Sequence, residues 1–231
     1  MKTIAFIFAR AGSKGLPGKN SKILNGKPLI QYSIDTAKKV SHINEIFVST
    51  DCKSIAAIAK KNNVKVIKRP ARLASDNSPE WLSWKHAIDH VNKNFGTFDR
   101  FISMPTTSPL RSVQDVYSAL DKLDTTNADI CISVTPASRN PYFNMVQQNG
   151  KNNFELVIEP NNIISRRQDS PKVYDITTVV YAAKVSFIQQ HNSIFSGKLA
   201  AIVVPKSRSL DIDDIYDFLF AETLLKSDLY D

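Results

Sequence analysis

Between Ile7 and Lys22 the chain reads IFARAGSKGLPGKNSK. Three of its 7 glycines, Gly12, Gly15 and Gly18, fall in this bend, flanked by Arg10, Lys14 and Lys19. An apolar run leads in, and a glycine-rich turn after a strand exposes backbone N–H groups that can point at phosphate oxygens. Bare amides together with charged donors suit a triphosphate; on this reading the glycines are there for phosphate. The pattern G-x-x-G-x-x-G is not the dinucleotide fingerprint, and GKN at 18–20 lacks the hydroxyl residue with which a Walker A loop holds its metal. Near the other end, LDIDDIYD places Asp211 and Asp213 one residue apart. In an extended stretch both carboxylates emerge on one face and Ile212 points the other way, into the core. Two carboxylates completed by triphosphate oxygens and waters would satisfy octahedral Mg²⁺ or Mn²⁺. The competing reading, an acidic helix start, suits Asp214 best.

Other groups carry less. His86 and His90 stand four apart on an expected helix, but without H-E-x-x-H or a third ligand they read as solvated or structural. Arg166 and Arg167 fit either an anion contact or a solvated basic turn. The segment NPYFNMV is apolar and amide-bearing: Tyr142, Phe143 and Met145 could touch acetamido methyls and Asn144 could hydrogen-bond an amide, or the aromatics pack an interface.

The elements that must position these residues alternate. TIAFIFA (3–9) reads as a strand buried on both faces, and Pro28 can open a helix to about Val40. EIFVST (45–50), VKVI (64–67), RFISM (100–104) and DICISV (129–134) read as strands. Helices are expected at 53–63, 79–93 and about 112–124, the second with Trp81, Trp84, Ile88 and Val91 on one packing stripe. This rhythm implies a mostly parallel sheet with helices on both faces. Beyond residue 140 it breaks: a hairpin turns near Asn149 and Gly150, VYDITTVVYAA and LAAIVV are further strands, and a last helix covers about 214–226. No linker divides the chain, so 1–231 reads as a single domain with an irregular insertion at about 138–172.

At 231 residues and 42% hydrophobic content the chain can bury a full core. Its net charge of +8 favours anionic partners, but the basic residues form no long run and no nucleic-acid-binding pattern is present. Cys52 and Cys131 lack metal spacing and suggest reduced thiols. A lysine, IAFIFA and ARA imitate a signal peptide, but the apolar run is short for one, and cleavage there would cut Arg10 from the loop. No stretch has transmembrane length, and the expected location is the cytoplasm, with neither membrane nor nucleic acid as partner.

ARAGSKGLPGKN resembles the nucleotide loop of the cytidylyltransferases that activate sialic-acid-type sugars as CMP conjugates. The resemblance continues through PLIQYSI, VSTD, RPARLASD, TSPLR, RRQDSPKVY and LDIDD in the family's order, over nearly the whole chain. SRNPYFNMV and RRQDSPKVYD are more similar to the legionaminic-acid branch than to the N-acetylneuraminic-acid branch. The resemblance implies a homodimeric enzyme with a three-layer, Rossmann-like nucleotide-diphospho-sugar transferase fold, a mixed sheet and a dimerisation insertion. It would use CTP and a nonulosonic acid and release pyrophosphate. It implies that Arg10, Ser13, Lys14, Lys19, Asn20 and Arg69 hold the nucleotide, and that Arg10, Lys19, Asp211 and Asp213 serve the transfer, the two aspartates through the metal. It implies that Arg166, Arg167 and Gln168, with Tyr174, approach the sugar acid.

The chain departs from the sialic-acid pattern in three places. Pro105 and Thr106 stand where the family carries Gln-Pro, Thr177 and Thr178 replace Asn-Gly, and a lysine expected near residue 143 is missing. These departures bear on which acid is used, with N,N′-diacetyllegionaminate expected and N-acetylneuraminate, pseudaminate or 3-deoxy-octulosonate as alternatives. A catalytically silent nucleotide-binding relative is the remaining reading, against which the retained Arg10, Lys19, Asp211 and Asp213 count.

Overall fold

The computed structural model describes residues 1–160, 162 and 164–227. The strands are β1 (Thr3–Phe8), β2 (Ile23–Leu24), β3 (Lys27–Pro28), β4 (Glu45–Thr50), β5 (Lys65–Lys68), β6 (Arg100–Ser103), β7 (Ile130–Pro136), β8 (Val146–Asn149), β9 (Asn153–Leu156), β10 (Tyr174–Lys184) and β11 (Leu199–Val203). The helices are α1 (Leu29–Lys39), α2 (Lys53–Lys61), α3 (Glu80–Phe95), α4 (Val113–Thr125), α5 (Val185–Gln190) and α6 (Ile215–Ser227). Seven strands form one sheet in the order β11-β7-β10-β6-β1-β4-β5. All run parallel except β10, which pairs antiparallel with both β6 and β7. The expected mostly parallel, Rossmann-like mixed sheet is therefore present.

Alternation along β1 builds the layers. Ala5 and Ile7 face a core shared with α1, α2 and α4, while Ile4 and Phe6 face one shared with α3 and α5. Side chains of successive strand residues point to opposite faces, so an apolar run is required when both faces are covered. Phe6 stacks on Phe101 with ring centroids 4.9 Å apart. Trp81, Trp84, Ile88 and Val91 all pack into this second core, as the stripe predicts. Ser112 and Asp115 form a reciprocal capping box that starts α4, and Arg208 bonds Asp115 Oδ1 at 2.9 Å, anchoring the run that leads to Asp211.

Between β7 and β10 the chain leaves the sheet, forming the β8–β9 hairpin with Gly150 at φ +76° and a short turn at Arg167–Asp169. Two pieces were not anticipated from sequence. Helix α5 has six residues, too short for a periodic signal. The β2–β3 hairpin turns on Asn25 and Gly26, both at positive φ, the preference of a tight hairpin turn.

Candidate active site

A cleft of about 360 Å³ opens where Phe8, Arg69 and Pro105–Thr107 leave β1, β5 and β6, the carboxyl ends of parallel strands where ligands bind in open α/β sheets. Register between Thr177 and Tyr181 of β10 is irregular, and this break brings Thr178 into the same lining.

Within the bend after β1 the three glycines do different things. Only Gly12 lines the cleft. Gly15 packs so closely on the Asp213 backbone that a Cβ would collide with its carbonyl, and Gly18 holds φ +68°. The expectation that all three serve phosphate is thus narrowed: Gly15 lets the loop close on the carboxyl-terminal segment, and Gly18 supplies its left-handed turn. A small cluster of Leu16, Leu24, Leu29, Ile212 and Phe218 fastens the two together. Ile212 is fully buried, as its position between two polar aspartates implies, and its amide donates to Thr107 O at 2.9 Å.

Arg10 Nη1 donates to Asp76 Oδ1 at 2.6 Å and Lys14 reaches Asp76 Oδ2 at 3.1 Å. The two cations hold the Asp76 carboxyl below its usual range. Ser13 is half-buried and lines the cleft, whereas Lys14 is well exposed and does not. Asn20 is buried and braces the loop: its Nδ2 donates to Arg10 O at 3.0 Å and its Oδ1 accepts from Thr106 Oγ1. Lys19, only 8% exposed, donates to Ile212 O and to Asp213 Oδ1. Arg69 is buried on the Ser49 backbone and hydroxyl, and desolvation lowers its pKa.

Asp211 and Asp213 come from the unpaired stretch before α6 and both line the cleft. Asp213 is open to solvent, whereas Asp211 Oδ1 is buried and, among the described residues, has no hydrogen-bond partner. Burial raises the Asp211 carboxyl; the Thr107 and Thr178 hydroxyls and the Lys19 charge oppose the shift, and Asp213 adds to it. A divalent cation fits this donor set, since it would satisfy the orphaned oxygen. Among the described residues no group of three or more His, Cys, Asp or Glu side chains is placed to hold a metal, so such a cation would draw its remaining ligands from the nucleotide and water. Asp214 plays the helix-start role, its Oδ1 accepting from the Tyr216 and Asp217 amides at 2.8 and 3.0 Å. His86 and His90 do not line the cleft.

The expected sugar-acid residues are not among the residues lining this cleft. Asn144 Oδ1 accepts from the Asn140 amide at 2.7 Å. Arg166 pairs with Asp169 at 2.9 Å, Arg167 donates to Ala137 O at 2.8 Å, and Gln168 and Tyr174 are exposed. Tyr142 and Phe143 line a separate hollow of about 370 Å³ within the insertion.

A family model of cytidylyltransferases matches residues 4–195. The chain belongs to the cytidylyltransferase family. It is 35% identical over 223 residues to the post-translational flagellin modification protein B of Campylobacter coli, covering 95% of this chain and 93% of that one. It is 33% identical over 222 residues to the CMP-N,N′-diacetyllegionaminic acid synthase of Campylobacter jejuni, with the same two coverages of 95% and 93%. The fold matches a CMP:2-keto-3-deoxy-manno-octonic acid synthetase complexed with CTP at a TM-score of 0.74 and 19% identity, covering 99% of this chain and 100% of the other. As a cytidylyltransferase the chain is a nucleotidyltransferase, and its CMP-nonulosonate relatives place it in that branch of the family.

Cleft residues missed from sequence include Asp76 and Glu80, while Thr106 and Thr178, noted as departures from the family pattern, also line the cleft. Asp76 stood inside RPARLASD, but its partner Arg10 lies 66 positions earlier in the chain, so no local signal marked it. Glu80 gave none, because a glutamate before an apolar helix stripe is ordinary at a helix start. Arg111, in TSPLR, lies under the cleft floor, fully enclosed and bonded to Ser33, Pro105, Thr178 and Val179.

Proposed function

We propose that this cytidylyltransferase transfers CMP from CTP to the anomeric hydroxyl of a nonulosonic acid, N,N′-diacetyllegionaminate in the first place, releasing pyrophosphate. The observation that carries the reading is the meeting in one cleft of Arg10, Lys19 and the Gly12–Ser13 loop with a buried, unpartnered Asp211 oxygen. In the transfer, the anomeric oxygen forms a bond to the α-phosphorus as the bond to pyrophosphate breaks in line. Such a step depends on positioning and on neutralising oxygens whose charge develops. Arg10 and Lys19 would hold the triphosphate oxygens, with loop amides beside them, and Asn20 and Thr106 would keep the loop in place. Asp211 and Asp213 would hold Mg²⁺, which supplies Lewis-acid neutralisation of the phosphate oxygens when bound.

The choice of acid rests on the chain's likeness to its legionaminate relatives and on the aromatic, amide-bearing segment Tyr142–Met145. Because that segment and Arg166–Gln168 lie outside this chain's cleft, we infer a homodimer in which the insertion of one protomer completes the site of the other. The exposed Val146, Phe154 and Ile158 of the insertion support this. Both cysteines are free, and among the described residues no helix is long and apolar enough to cross a membrane; the cytoplasm is the compartment we propose.

The test is pyrophosphate release with CTP and Mg²⁺ across a panel of acids. Legionaminate should exceed N-acetylneuraminate in kcat/KM, and 3-deoxy-octulosonate should be poor. The reverse ranking overturns the acid and leaves CTP standing, while no release with any acid overturns the activity.

A further inference from the structure

Strand β10 keeps regular register on β7 except at one fault. Thr177 pairs with Ser133 and Tyr181 with Ile132, so β10 advances four residues where β7 advances one. Thr178, Val179 and Val180 lie in the fault, and their backbone groups need partners away from the ladder. Two side chains supply them. Ser133 Oγ accepts from the Val180 amide at 3.0 Å and lies 3.1 Å from the Thr177 and Val180 carbonyls, between which it shares its one proton. Arg111 donates through Nε to Val179 O and through Nη2 to Thr178 O at 3.3 Å.

Arg111 stands one residue before the Ser112 cap of α4, so the helix start fixes its backbone. Its Nη2 also donates to Pro105 O at 2.6 Å and its Nη1 to Ser33 Oγ at 3.0 Å. The residue is 5% exposed, and all of these partners are neutral oxygens. Burial pulls its pKa down to about 9 against the Asp115 and Asp211 charges, so it stays a cation at neutral pH. Such a buried cation is a poor source of stability, since apolar side chains of similar size often do as well or better. What it supplies is a planar fork that reaches the end of β6 and the fault in β10 together.

Both ends of that fork lead into the cleft. Thr106 and Thr107 follow Pro105, and Thr178 is itself in the lining. The Thr178 hydroxyl lies 2.7 Å from Ser108 Oγ and 3.2 Å from Thr107 Oγ1. The Thr107 and Thr178 hydroxyls face Asp211, whose ionised form they favour. We propose that Arg111 is a positioning residue for the transfer: from beneath the cleft it ties Pro105 to the fault in β10 and so sets the Thr107 and Thr178 hydroxyls against Asp211. This rests on the reading that Asp211 serves a nucleotide-bound cation. Partners that orient a ligating group typically govern about 10–100-fold of metal affinity or activity.

The experiment measures CTP affinity by calorimetry with and without Mg²⁺, beside kcat and melting temperature. It uses the whole protein and its Arg111→Met, Arg111→Lys, Thr178→Val and doubly substituted Arg111→Met, Thr178→Val variants. In Arg111→Met the gain in CTP affinity on adding Mg²⁺ should fall about tenfold or more, and kcat with it, while the metal-free affinity is kept. Arg111→Lys retains the charge without the fork and should not restore the gain. Thr178→Val should show a similar loss, and the double variant should lose little more than the worse single one, because both lesions act through the same hydroxyls. A merely structural arginine would lower the melting temperature and leave the Mg²⁺ gain native; that result overturns the proposal, as do additive losses in the double variant. If the Arg111 variants do not fold, Ser133→Ala, which loosens the same fault from β7, should lose the Mg²⁺ gain, and a native gain there overturns the proposal. Mg²⁺ without effect on CTP affinity in the native protein fails the metal reading and this proposal with it, whereas a native gain that survives in the variants fails this proposal alone.

Discussion

Lys19 Nζ stands 3.2 Å from Asp213 Oδ1, joining the amino-terminal loop to the carboxyl-terminal segment across 194 positions of chain. The same ammonium donates to the carbonyl of Ile212, whose side chain is buried beneath the loop. The cation proposed to hold phosphate is thus tied to the backbone that presents the carboxylates proposed to hold the metal. A triphosphate with its cation would replace one Lys19–carboxylate contact by several charge-assisted ones.

Lys19→Ala should therefore weaken CTP binding while the fold survives. Loss of one charge-assisted contact corresponds to about 1.5–3 kcal/mol, read by calorimetry at fixed Mg²⁺. An unchanged affinity would remove Lys19 from the triphosphate site.

Asp76 holds both Arg10 and Lys14, two cations that a triphosphate would also attract. Asp76→Asn should tighten CTP binding modestly, with the largest effect at low ionic strength, since these groups are exposed and salt-screened. Weaker binding in the variant would show that Asp76 orients Arg10 instead of competing for it.

If the insertion of one protomer completes the cleft of the other, Lys19→Ala and Arg166→Ala subunits should complement each other. Each variant alone should be nearly inactive, and mixing after co-refolding should restore up to about a quarter of native activity through sites with neither lesion. Phe154→Glu, at a position 65% exposed, should shift the protein to monomers on a sizing column. A monomeric native protein, or no recovery in the mixture, would refute the shared site.

What the sequence disclosed follows from how local each signal is. The run Ile4–Ile7 and the stripe Trp81–Val91 declare their burial because one period decides both faces. Ile212 between two aspartates announced an element-boundary site in the same way. Gly15 did not disclose its role, since its constraint is the Asp213 carbonyl about 200 residues away in sequence. Glu80 and Asp76 were invisible as cleft residues because the chain from Arg69 to Glu80 has no period, and only the packed fold brings it over β1. The Asn25–Gly26 turn carries a hairpin signal, but its two-residue strands are too short to alternate.

The last prediction concerns Asp211. Burial raises its carboxyl pKa in the fold above the unfolded value of about 3.9, so the ionised form is disfavoured in the native state. For a raised group the associated stability is fully present below the unfolded pKa and is lost as pH rises through the folded one. Asp211→Asn removes that loss: without nucleotide the variant should melt above the native protein at pH 7, and the gap should close as pH falls below about 4. The Thr107 and Thr178 hydroxyls can still donate to the asparagine oxygen, so the variant should fold. Asp213 is exposed and, among the described residues, its carboxylate pairs with Lys19 alone, so Asp213→Asn should change the melting temperature little. Both variants should lose most turnover with Mg²⁺, and in the native protein the metal should bind much more tightly once CTP is present. Near-normal activity in both variants, or full native activity in excess chelator, would remove the metal from this pair. A lower melting temperature for Asp211→Asn at pH 7 would show that the buried carboxylate stabilises the fold.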